Sequence, residues 1–478
     1  MAQPEFVEIA SLPLERFKPL VGAERFAEIE TVEARARQEF AGRAIWQVNS
    51  TARGGGVAEL LHSLLPYVRG AGVDTRWVVL QDGPAFFEIT KRLHNRLHGS
   101  EGDGGPLGPH ERSLYEATLA LNCTHLAEWI QPDDVVYLHD PQTAGLVPML
   151  KRLGVGVIWR CHIGVDDPND LVRGAWDFLR PYVADADAYV FSRRQYMWDG
   201  LEEGKVWEMP PSIDPFAPKN EELDSAAVDA ILAVIGLEAP PQAAGAAPTF
   251  TRGDGTPGRV DRHAEILQGA PLPPDAWVVA QVSRWDTLKD PGGLLQCFER
   301  HLVEPRIHLV IAAPSTGAVA DDPEGAMVFG SVAAAWHQLP EEKRRRAHLV
   351  SLPMDDLEEN AAMVNALQRR ADVVVQKSLA EGFGLTVAEA MWKRRPLVAS
   401  RVGGIQDQIV DGESGILIDD PRDLEGFAAA ILSLLGDPER AARLGEGAEQ
   451  RVLDRFLGVT RLVEYVELVA GLKPRARS

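Results

Sequence analysis

Cysteine is scarce in the 478-residue sequence, which contains only Cys123, Cys161 and Cys297. Three cysteines so far apart predict neither a disulfide framework nor a metal site built on cysteine. Long apolar runs are also missing, so we expect no segment that crosses a bilayer. The first residues, MAQPEFVEIASLPLERF, lack the basic segment followed by an apolar one that marks a secretory signal. These absences predict a cytoplasmic protein.

Positive charge is in short supply as well. Acidic residues outnumber basic residues 70 to 49, which gives a formal net charge of -21. This field repels a nucleic-acid backbone or an anionic membrane, so we expect neither as a partner. An anionic ligand would therefore need a local basic site.

Strands and helices alternate through most of the chain. In the first half the predicted strands are RAIWQVN, TRWVVL, DVVYLHD, GVIWRCHI and DAYVFS. In the second half they are AWVVAQVS, RIHLVIAAP, AHLVSLP, ADVVVQKS, PLVASR and SGILID. The chain is also too long for one core, since single cores stop growing at roughly 250–300 residues. Two doubly wound α/β domains with parallel sheets are the predicted fold class.

Proline-rich segments mark the predicted boundaries. PPSIDPF, around Pro211–Pro215, forces extended backbone and ends a first domain at residues 1–214. Residues 215–274 read as a partly flexible insertion or linker that contains one helix, DSAAVDAILAVIGL. The second domain covers residues 275–458, and a last helix at 459–478 could cross back to the first domain.

A glycine-rich loop follows the first long strand in VNSTARGGGVAEL. Gly54, Gly55 and Gly56 precede a helix that we expect to begin at about Val57. Such a loop lets backbone amides and a helix N-terminus approach an anion, although a plain tight turn explains it equally well. The spacing matches neither a dinucleotide fingerprint nor a P-loop, which disfavours a nicotinamide enzyme and an NTPase.

Two basic residues, Arg284 and Lys289, follow a strand of the second half in QVSRWDTLKDPGG. Two cations at a strand end are suited to clamping a diphosphate. Taken alone, the pattern is better explained by two solvated surface charges.

The stretch SLAEGFGLTVAEAMW places Glu381 and Glu389 on either side of a glycine turn. Thr386 and Glu389 have the spacing of a capping box, but that interpretation leaves Glu381 without a role. Alternatively, amides near Leu385 and Thr386 bind phosphate oxygens and Glu389 binds ribose hydroxyls. Glu381 would then contact the group attached to the diphosphate.

Two histidines stand at strand ends of the first half, His139 in LHDPQTAGL and His162 in RCHIGVDDPND. Ligands of open α/β sheets bind at this end of the strands. A single histidine is more often structural, but two at neighbouring strand ends favour a site.

Taken together, the motifs resemble the retaining nucleotide-sugar glycosyltransferases of the GT-B fold, and among them the trehalose glycosyltransferring synthases. The stretches that carry the resemblance are NSTARGGGVAELL, HDPQTAGL, WRCHIGVDDPN, DDPEG, EGFGLTVAEAMWK and VGGIQDQIVDGESG. The resemblance implies two Rossmann-like domains facing a central cleft. It also implies transfer of glucose from UDP-, ADP- or GDP-glucose to glucose, which makes trehalose.

The resemblance also assigns roles to residues. Those implied at the reaction centre are Glu381, His162, Arg284 and Lys289. Those implied in donor binding are Gly54, Gly55, Gly56, Arg284, Lys289, Gly382, Phe383, Gly384, Leu385, Thr386 and Glu389. Those implied in acceptor binding are His139, Asp140, Gln142 and Asp166. No metal or other cofactor is expected to be required, with magnesium non-essential, and a homodimer is left open.

Four alternatives remain open on the sequence, and the first is another retaining GT-B glucosyltransferase with a different acceptor. A trehalose phosphorylase would use inorganic phosphate in place of the nucleotide and would leave Glu389 without a ribose. A nucleotide-sugar epimerase would need a base for C–H abstraction and no acceptor site. A non-catalytic sugar-binding protein would bind the donor without turnover.

Overall fold

The computed structural model describes residues 3–52, 56–81, 83–240, 247–316 and 323–472. They form two compact units. The first comprises Met1–Ile213 and Phe456–Ser478, and the second comprises Asp214–Arg455. The chain thus passes from one unit to the other within PPSIDPF.

The described part of the first unit contains a seven-stranded sheet. Its strands are β1 (Glu5–Val7), β2 (Ile45–Asn49), β3 (Thr75–Val79), β4 (Val135–His139), β5 (Gly156–Cys161), β6 (Ala188–Phe191) and β7 (Val206–Glu208). The helices around it are α1 (Lys18–Glu39), α2 (Gly56–Gly70), α3 (Pro84–Leu97), α4 (Pro109–Trp129), α5 (Asp140–Thr143), α6 (Val147–Lys151) and α7 (Asp170–Val183). The central strands β2 and β4 are buried along their whole length, which is why they read as continuous apolar runs.

The second unit contains another seven-stranded sheet and a small hairpin. Its strands are β8 (Thr249–Thr251), β9 (Pro257–Arg259), β10 (Glu265–Leu267), β11 (Trp277–Val282), β12 (Ile307–Pro314), β13 (Ala347–Leu352), β14 (Val373–Gln376), β15 (Leu397–Ser400) and β16 (Ile416–Ile418). Its helices are α8 (Ser225–Val234), α9 (Pro291–His301), α10 (Pro323–Gln338), α11 (Glu341–Arg344), α12 (Leu357–Arg370), α13 (Leu385–Trp392), α14 (Ile405–Gln408), α15 (Leu424–Leu435) and α16 (Pro438–Arg455). The last helix, α17 (Gly458–Gly471), packs against α1 and α2 of the first unit.

Each large sheet has one reversal of strand order where ligands are expected. The orders are β1-β3-β2-β4-β5-β6-β7 and β10-β13-β12-β11-β14-β15-β16. Only the edge strands β1 and β10 pair antiparallel within these described sheets. The order reverses between β2 and β4 in the first sheet and between β11 and β14 in the second. Ligands of doubly wound folds bind outside the carboxyl ends of strands at such a switch point.

The predicted α/β fold class and all eleven predicted strands are confirmed. The sequence analysis missed β1 and β7, which have three residues each, and the three short strands β8 to β10. It also treated residues 215–274 as a partly flexible insertion. Much of that segment instead belongs to the second unit, because β10 pairs with β13 and Arg252 forms an ion pair with Asp356 at 2.7 Å.

Within the described residues, no helix combines the length and the apolar character that crossing a membrane would require.

Candidate active site

The switch point of the second sheet brings Lys289 and Glu381 together. Lys289 ends a short turn after β11, and Glu381 follows β14, which is the neighbouring strand. Lys289 Nζ lies 2.6 Å from Glu381 Oε2. The two side chains are only 14% and 11% exposed. Shielding from water strengthens the attraction between the two charges, which offsets the cost of removing them from solvent, and the pair lies where a ligand is expected.

A buried glutamine holds the two loops that carry this pair. Gln281 Nε2 donates to the carbonyl oxygen of Lys289 at 2.9 Å, and Gln281 Oε1 accepts from the amide of Lys377 at 3.0 Å. The amide of Leu379 also donates to the carbonyl oxygen of Leu288 at 2.7 Å. These hydrogen bonds position the loops independently of the Lys289–Glu381 ion pair.

A second ion pair lies beside the glutamine. Lys377, whose side chain is 1% exposed, contacts Asp290. Asp290 has a left-handed backbone with φ of 46° and accepts from the amide of Gly293 at 2.9 Å, which caps the start of α9. The left-handed residue allows the chain to turn from Lys289 directly into the helix.

Arg284, the other predicted basic residue, has a different environment. Its side chain is 56% exposed and pairs with Asp286 at 2.7 Å. Exposed ion pairs contribute little free energy, so an anionic ligand could recruit this guanidinium with little loss.

The glycine turn that follows Glu381 ends at Gly384, which has φ of 87° and forms the N-cap of α13. The capping-box interpretation is therefore wrong, because Thr386 is already the second residue of the helix. Its hydroxyl lies 3.3 Å from Gln376 Oε1. Within the described part of the chain, no side chain caps α13. The amides of Leu385 and Thr386 at its first turn are suited to an anion.

Glu389, the second acid of the motif, is almost fully buried. Its Oε1 lies 3.4 Å from Lys219 Nζ. Its Oε2 is buried and has no hydrogen-bond partner among the described residues. A buried carboxylate oxygen without a partner costs free energy, so a hydroxyl group that reached it would be bound favourably.

The loop after β15 is hydrogen-bonded to the glycine turn that follows Glu381. The amide of Gly404 donates to the carbonyl oxygen of Gly382 at 3.1 Å, and a Cβ at Gly404 would lie only 2.6 Å from Phe383 Cα. Gln408 Nε2 also donates to the carbonyl oxygen of Phe383 at 2.5 Å. This close approach gives a physical reason for the glycine at position 404.

The switch point of the first sheet carries the two predicted histidines. His139 ends β4 and His162 follows β5, with His139 Nδ1 and His162 Nε2 3.1 Å apart. His139 Nε2 lies 2.8 Å from Gln47 Oε1. Burial lowers the pKa of His139 to about 3 and lowers that of His162 well below 6.5, with Arg160 adding to both effects. Both rings are therefore neutral at pH 7.

Asp140 completes this cluster. Its Oδ1 accepts from the amide of His162 at 2.7 Å, and its backbone is left-handed with φ of 64°. Burial raises the pKa of Asp140 to about 7, against the opposing effects of the His162 amide and Arg160. A strained, titratable residue at a strand end is typical of a functional site.

The remaining predicted residues lie around the same strand ends. Gln142 belongs to α5. Asp166, in the loop after β5, forms an ion pair with Arg193, which follows β6. Gly56 is the first residue of α2, whereas Gly54 and Gly55 lie outside the described residues. No group of three or more histidine, cysteine or acidic side chains in the described ranges has the arrangement of a metal site.

Sequence analysis missed the residues that support these predicted side chains. Gln47 in β2 and Gln281 in β11 are both buried, and each lies in the strand at its sheet's switch point. A glutamine inside an apolar strand is a usable signal, because its buried amide must find partners. Nothing comparable in the sequence pointed to Arg193.

Comparison with known proteins places these sites in a family. Residues 47–198 match the model of the trehalose synthase N-terminal domain, and residues 354–451 match that of glycosyl transferases group 1. The chain is 35% identical to a trehalose synthase of Rubrobacter xylanophilus, over 95% of this chain and 96% of the relative. It is 32% identical to a trehalose synthase of Pyrococcus horikoshii, over 96% of both.

The chain belongs to the trehalose synthase family. It is thus a glycosyltransferase, as the resemblance implied. Members of a more distant group are also similar: a trehalose phosphorylase of Pleurotus pulmonarius is 26% identical over 92% of this chain, but the match covers only 58% of that protein.

A solved structure supports the same fold. The structure titled as trehalose-6-phosphate from E. coli bound with UDP-2-fluoro glucose superposes with a TM-score of 0.65. The match has 15% sequence identity and covers 90% of this chain and all of that one. Together with the family assignment, this likeness identifies the fold as GT-B.

Proposed function

We propose that the enzyme transfers glucose from a nucleoside-diphosphate glucose to free glucose and forms trehalose with retention at the anomeric carbon. The Lys289–Glu381 pair at the switch point of the second sheet carries this proposal. An ammonium beside a carboxylate fits a substrate in which a diphosphate adjoins a sugar, since one group is suited to phosphate and the other to hydroxyls. The two trehalose synthases described above support the same reaction.

In the proposed step, the bond between the anomeric carbon and the diphosphate oxygen breaks. A bond to the anomeric hydroxyl oxygen of the acceptor glucose forms on the same face, and the hydroxyl proton passes to the departing phosphate oxygen. Lys289 and Arg284 stabilise the charge that develops on the diphosphate, so a metal ion is not required and Mg²⁺ is at most non-essential. Glu381 binds hydroxyls of the transferred glucose and stabilises positive charge on its ring.

The nucleotide would be bound by α13 and its surroundings. The amides of Leu385 and Thr386 suit a phosphate oxygen. The buried Oε2 of Glu389 suits a ribose hydroxyl, because that oxygen has no hydrogen-bond partner among the described residues. Because the structural neighbour described above is bound with UDP-2-fluoro glucose, UDP-glucose is the first donor to test.

The acceptor would be bound by the first unit at the ends of β4 and β5. His139, Asp140 and Asp166 offer hydrogen-bonding groups there, with Gln142 nearby in α5. Arg193 at the end of β6 already has the carboxylate of Asp166 as a partner. A free sugar therefore suits this site better than a sugar phosphate, whose charge Asp166 would repel.

The test is to incubate the enzyme with UDP-, ADP- or GDP-glucose and glucose, with EDTA present and absent, and to identify the product by proton NMR. We expect α,α-trehalose and one equivalent of nucleoside diphosphate in both conditions. Glucose 6-phosphate should be a poor acceptor. Formation of glucose 1-phosphate from trehalose and inorganic phosphate, without turnover of any nucleotide donor, would instead establish a phosphorylase.

A further inference from the structure

A chain of hydrogen bonds links His162 to the C-terminal helix of the protein. His162 Nε2 lies 3.1 Å from His139 Nδ1, and His139 Nε2 lies 2.8 Å from Gln47 Oε1. At the far end, Gln47 Nε2 donates to the hydroxyl of Tyr465 at 2.6 Å. Tyr465 lies in α17, more than 400 residues from Gln47 in sequence and on the same unit.

The direction of this chain follows from the amide of Gln47. Its nitrogen faces Tyr465, so its oxygen faces His139, and an amide oxygen can only accept. His139 must then carry its proton on Nε2. Because His139 is neutral, its Nδ1 has no proton and can only accept, so His162 must donate from Nε2.

We propose that Gln47 and Tyr465 are positioning residues that hold His162 in the tautomer protonated on Nε2, so that Nδ1 accepts a hydrogen bond from a hydroxyl of the bound glucose. This inference rests on the proposed function only for the identity of the hydroxyl. The tautomer itself follows from the hydrogen bonds within the first unit.

Burial makes the arrangement effective. Gln47, His139 and Tyr465 are almost fully buried, so water cannot replace a missing partner. The rings of His139 and His162 lie edge to edge and nearly in one plane, with their centroids 5.4 Å apart and 19° between the ring planes, and Tyr137 stacks on both His139 and Tyr465. The packing holds the ring planes, and the hydrogen bonds then decide which nitrogen carries the proton.

Tyr137 provides a matched control for Tyr465. Tyr137 and Tyr465 are both buried tyrosines in this stack, with ring centroids 5.3 Å apart. The Tyr465 hydroxyl accepts from Gln47, whereas the Tyr137 hydroxyl has no hydrogen-bond partner in the described part of the chain. Each Tyr→Phe substitution removes one buried hydroxyl oxygen and keeps the ring, but only Tyr465→Phe removes a member of the hydrogen-bond chain.

The first experiment reads the tautomer directly. Full-length enzyme labelled with ¹⁵N-histidine is studied by long-range proton–nitrogen correlation NMR, and His162→Asn assigns the His162 signals. We expect the Nε2–H tautomer in the natural protein and in Tyr137→Phe, and a mixture of tautomers in Tyr465→Phe. An Nδ1–H tautomer in the natural protein, or no change in Tyr465→Phe, would overturn the proposal.

The second experiment measures how the loss of the Tyr465 hydroxyl affects turnover of the sugar substrates. With Tyr465→Phe, kcat/KM for the sugar donor and glucose should fall by about tenfold, the scale of one hydrogen bond to substrate. Nucleoside diphosphate affinity should match that of Tyr137→Phe, whereas the melting temperature of Tyr465→Phe should be lower, because only this variant leaves the buried Gln47 amide without its partner. Gln47→Glu keeps an accepting oxygen and should retain more activity than Gln47→Met; equal losses would contradict the assignment. Because the NMR result needs no substrate, it stands even if the proposed reaction fails.

Discussion

Lys289 Nζ lies 2.6 Å from Glu381 Oε2, so two groups proposed to act on different parts of the donor neutralise each other. An ammonium has three donor hydrogens, and one bond to Glu381 leaves two for phosphate oxygens. The pair can therefore be shared with a diphosphate without being broken. It also means that each residue modifies the charge with which the other meets the substrate.

Replacing Lys289 tests the proposed contact with the leaving group. Lys289→Met should weaken nucleoside diphosphate binding and lower kcat by about 10²-fold or more, because the lost charge acts on both the bound state and the transition state. Isothermal titration calorimetry and steady-state kinetics measure the two effects. Arg284→Ala should act in the same direction but more weakly, since its guanidinium is largely exposed.

The control for these variants is Arg345→Ala. Arg345 forms an exposed ion pair with Glu341 and precedes β13, at the amino end of the sheet and away from the switch point. Its loss changes the net charge of the protein by the same amount as the other two substitutions. If Arg345→Ala weakened nucleotide binding as strongly as Lys289→Met, the results would be explained by general electrostatic attraction. A local contact of Lys289 with the diphosphate would not then be needed to explain them.

The role of Glu389 can be separated from that of its ion pair with Lys219. If Glu389 binds ribose, Glu389→Gln should raise the donor KM and the nucleoside diphosphate Kd together by about tenfold. Lys219→Met breaks the same ion pair from the other side and should leave the Kd close to that of the natural protein. Equal effects of the two variants would assign Glu389 a structural role.

The sequence predicted where these acids and cations lie because strand ends are visible in an apolar pattern. Lys289 and Glu381 follow two continuous apolar runs, and parallel strands bring their carboxyl ends to one edge of the sheet. Their direct contact was not predictable, because the two residues are 92 positions apart in the sequence and meet only when β11 and β14 are neighbours in the sheet. The capping-box spacing of Thr386 and Glu389 was misleading, since the left-handed Gly384 starts the helix earlier.

The supporting network was beyond sequence reasoning for a related reason. Gln281 and Gln47 are single polar residues in apolar strands, and their partners come from distant segments of the chain. A pattern can show that a buried amide needs partners, but the fold decides which they are.

A second histidine pair shows what the same arrangement does away from a strand's carboxyl end. His308 Nδ1 and His348 Nε2 are 3.1 Å apart near the amino ends of β12 and β13, and His348 Nδ1 lies 3.0 Å from Gln268 Oε1. Burial lowers the pKa of His308 to about 4 and that of His348 to about 3. This pair lies at the opposite end of the strands from the candidate site, so we expect it to affect stability alone.

Acid should destabilise the second unit through these histidines. An unfolded histidine takes up a proton near pH 6.5, whereas the folded pair stays neutral until about pH 4 to 3. The histidine pair therefore contributes to the stability of the folded protein above pH 6.5, and this contribution is lost as the pH falls from 6.5 towards about 4 to 3. For His348 alone the loss between pH 7.5 and 5.0 is about 2 kcal/mol.

The measurement compares thermal unfolding at pH 7.5 and 5.0. His348→Gln should show a smaller drop in melting temperature between the two than the natural protein, with kcat at pH 7.5 unchanged. His263→Gln, which replaces an exposed histidine of the same unit, should behave like the natural protein. An acid-induced drop that is identical in all three proteins would show that these histidines are not its cause.

The structure is consistent with two roles for Glu381, contact with the transferred glucose and positioning of Lys289. Its ion pair with Lys289 gives it a structural function that the sequence did not suggest, so loss of activity alone cannot establish contact with the sugar. The two roles make opposite predictions for the nucleotide. If Glu381 serves the sugar, Glu381→Gln should lower kcat by about 10²-fold or more, because it removes an electrostatic group from the transition state. The same variant frees Lys289 from its carboxylate, so nucleoside diphosphate should bind at least as tightly as to the natural protein.

Calorimetry with the nucleoside diphosphate and kinetics with the full donor, both on Glu381→Gln, decide between these roles. A fall in kcat with unchanged or tighter nucleotide binding would assign Glu381 to the transferred glucose. Loss of both would mean that the carboxylate holds Lys289 and the loop after β14 in place. The variant Gln281→Leu provides the comparison for that case, because it releases the same two loops while leaving the carboxylate intact. If Glu381→Gln and Gln281→Leu weaken nucleotide binding equally, the role of Glu381 is to position the loops after β11 and β14.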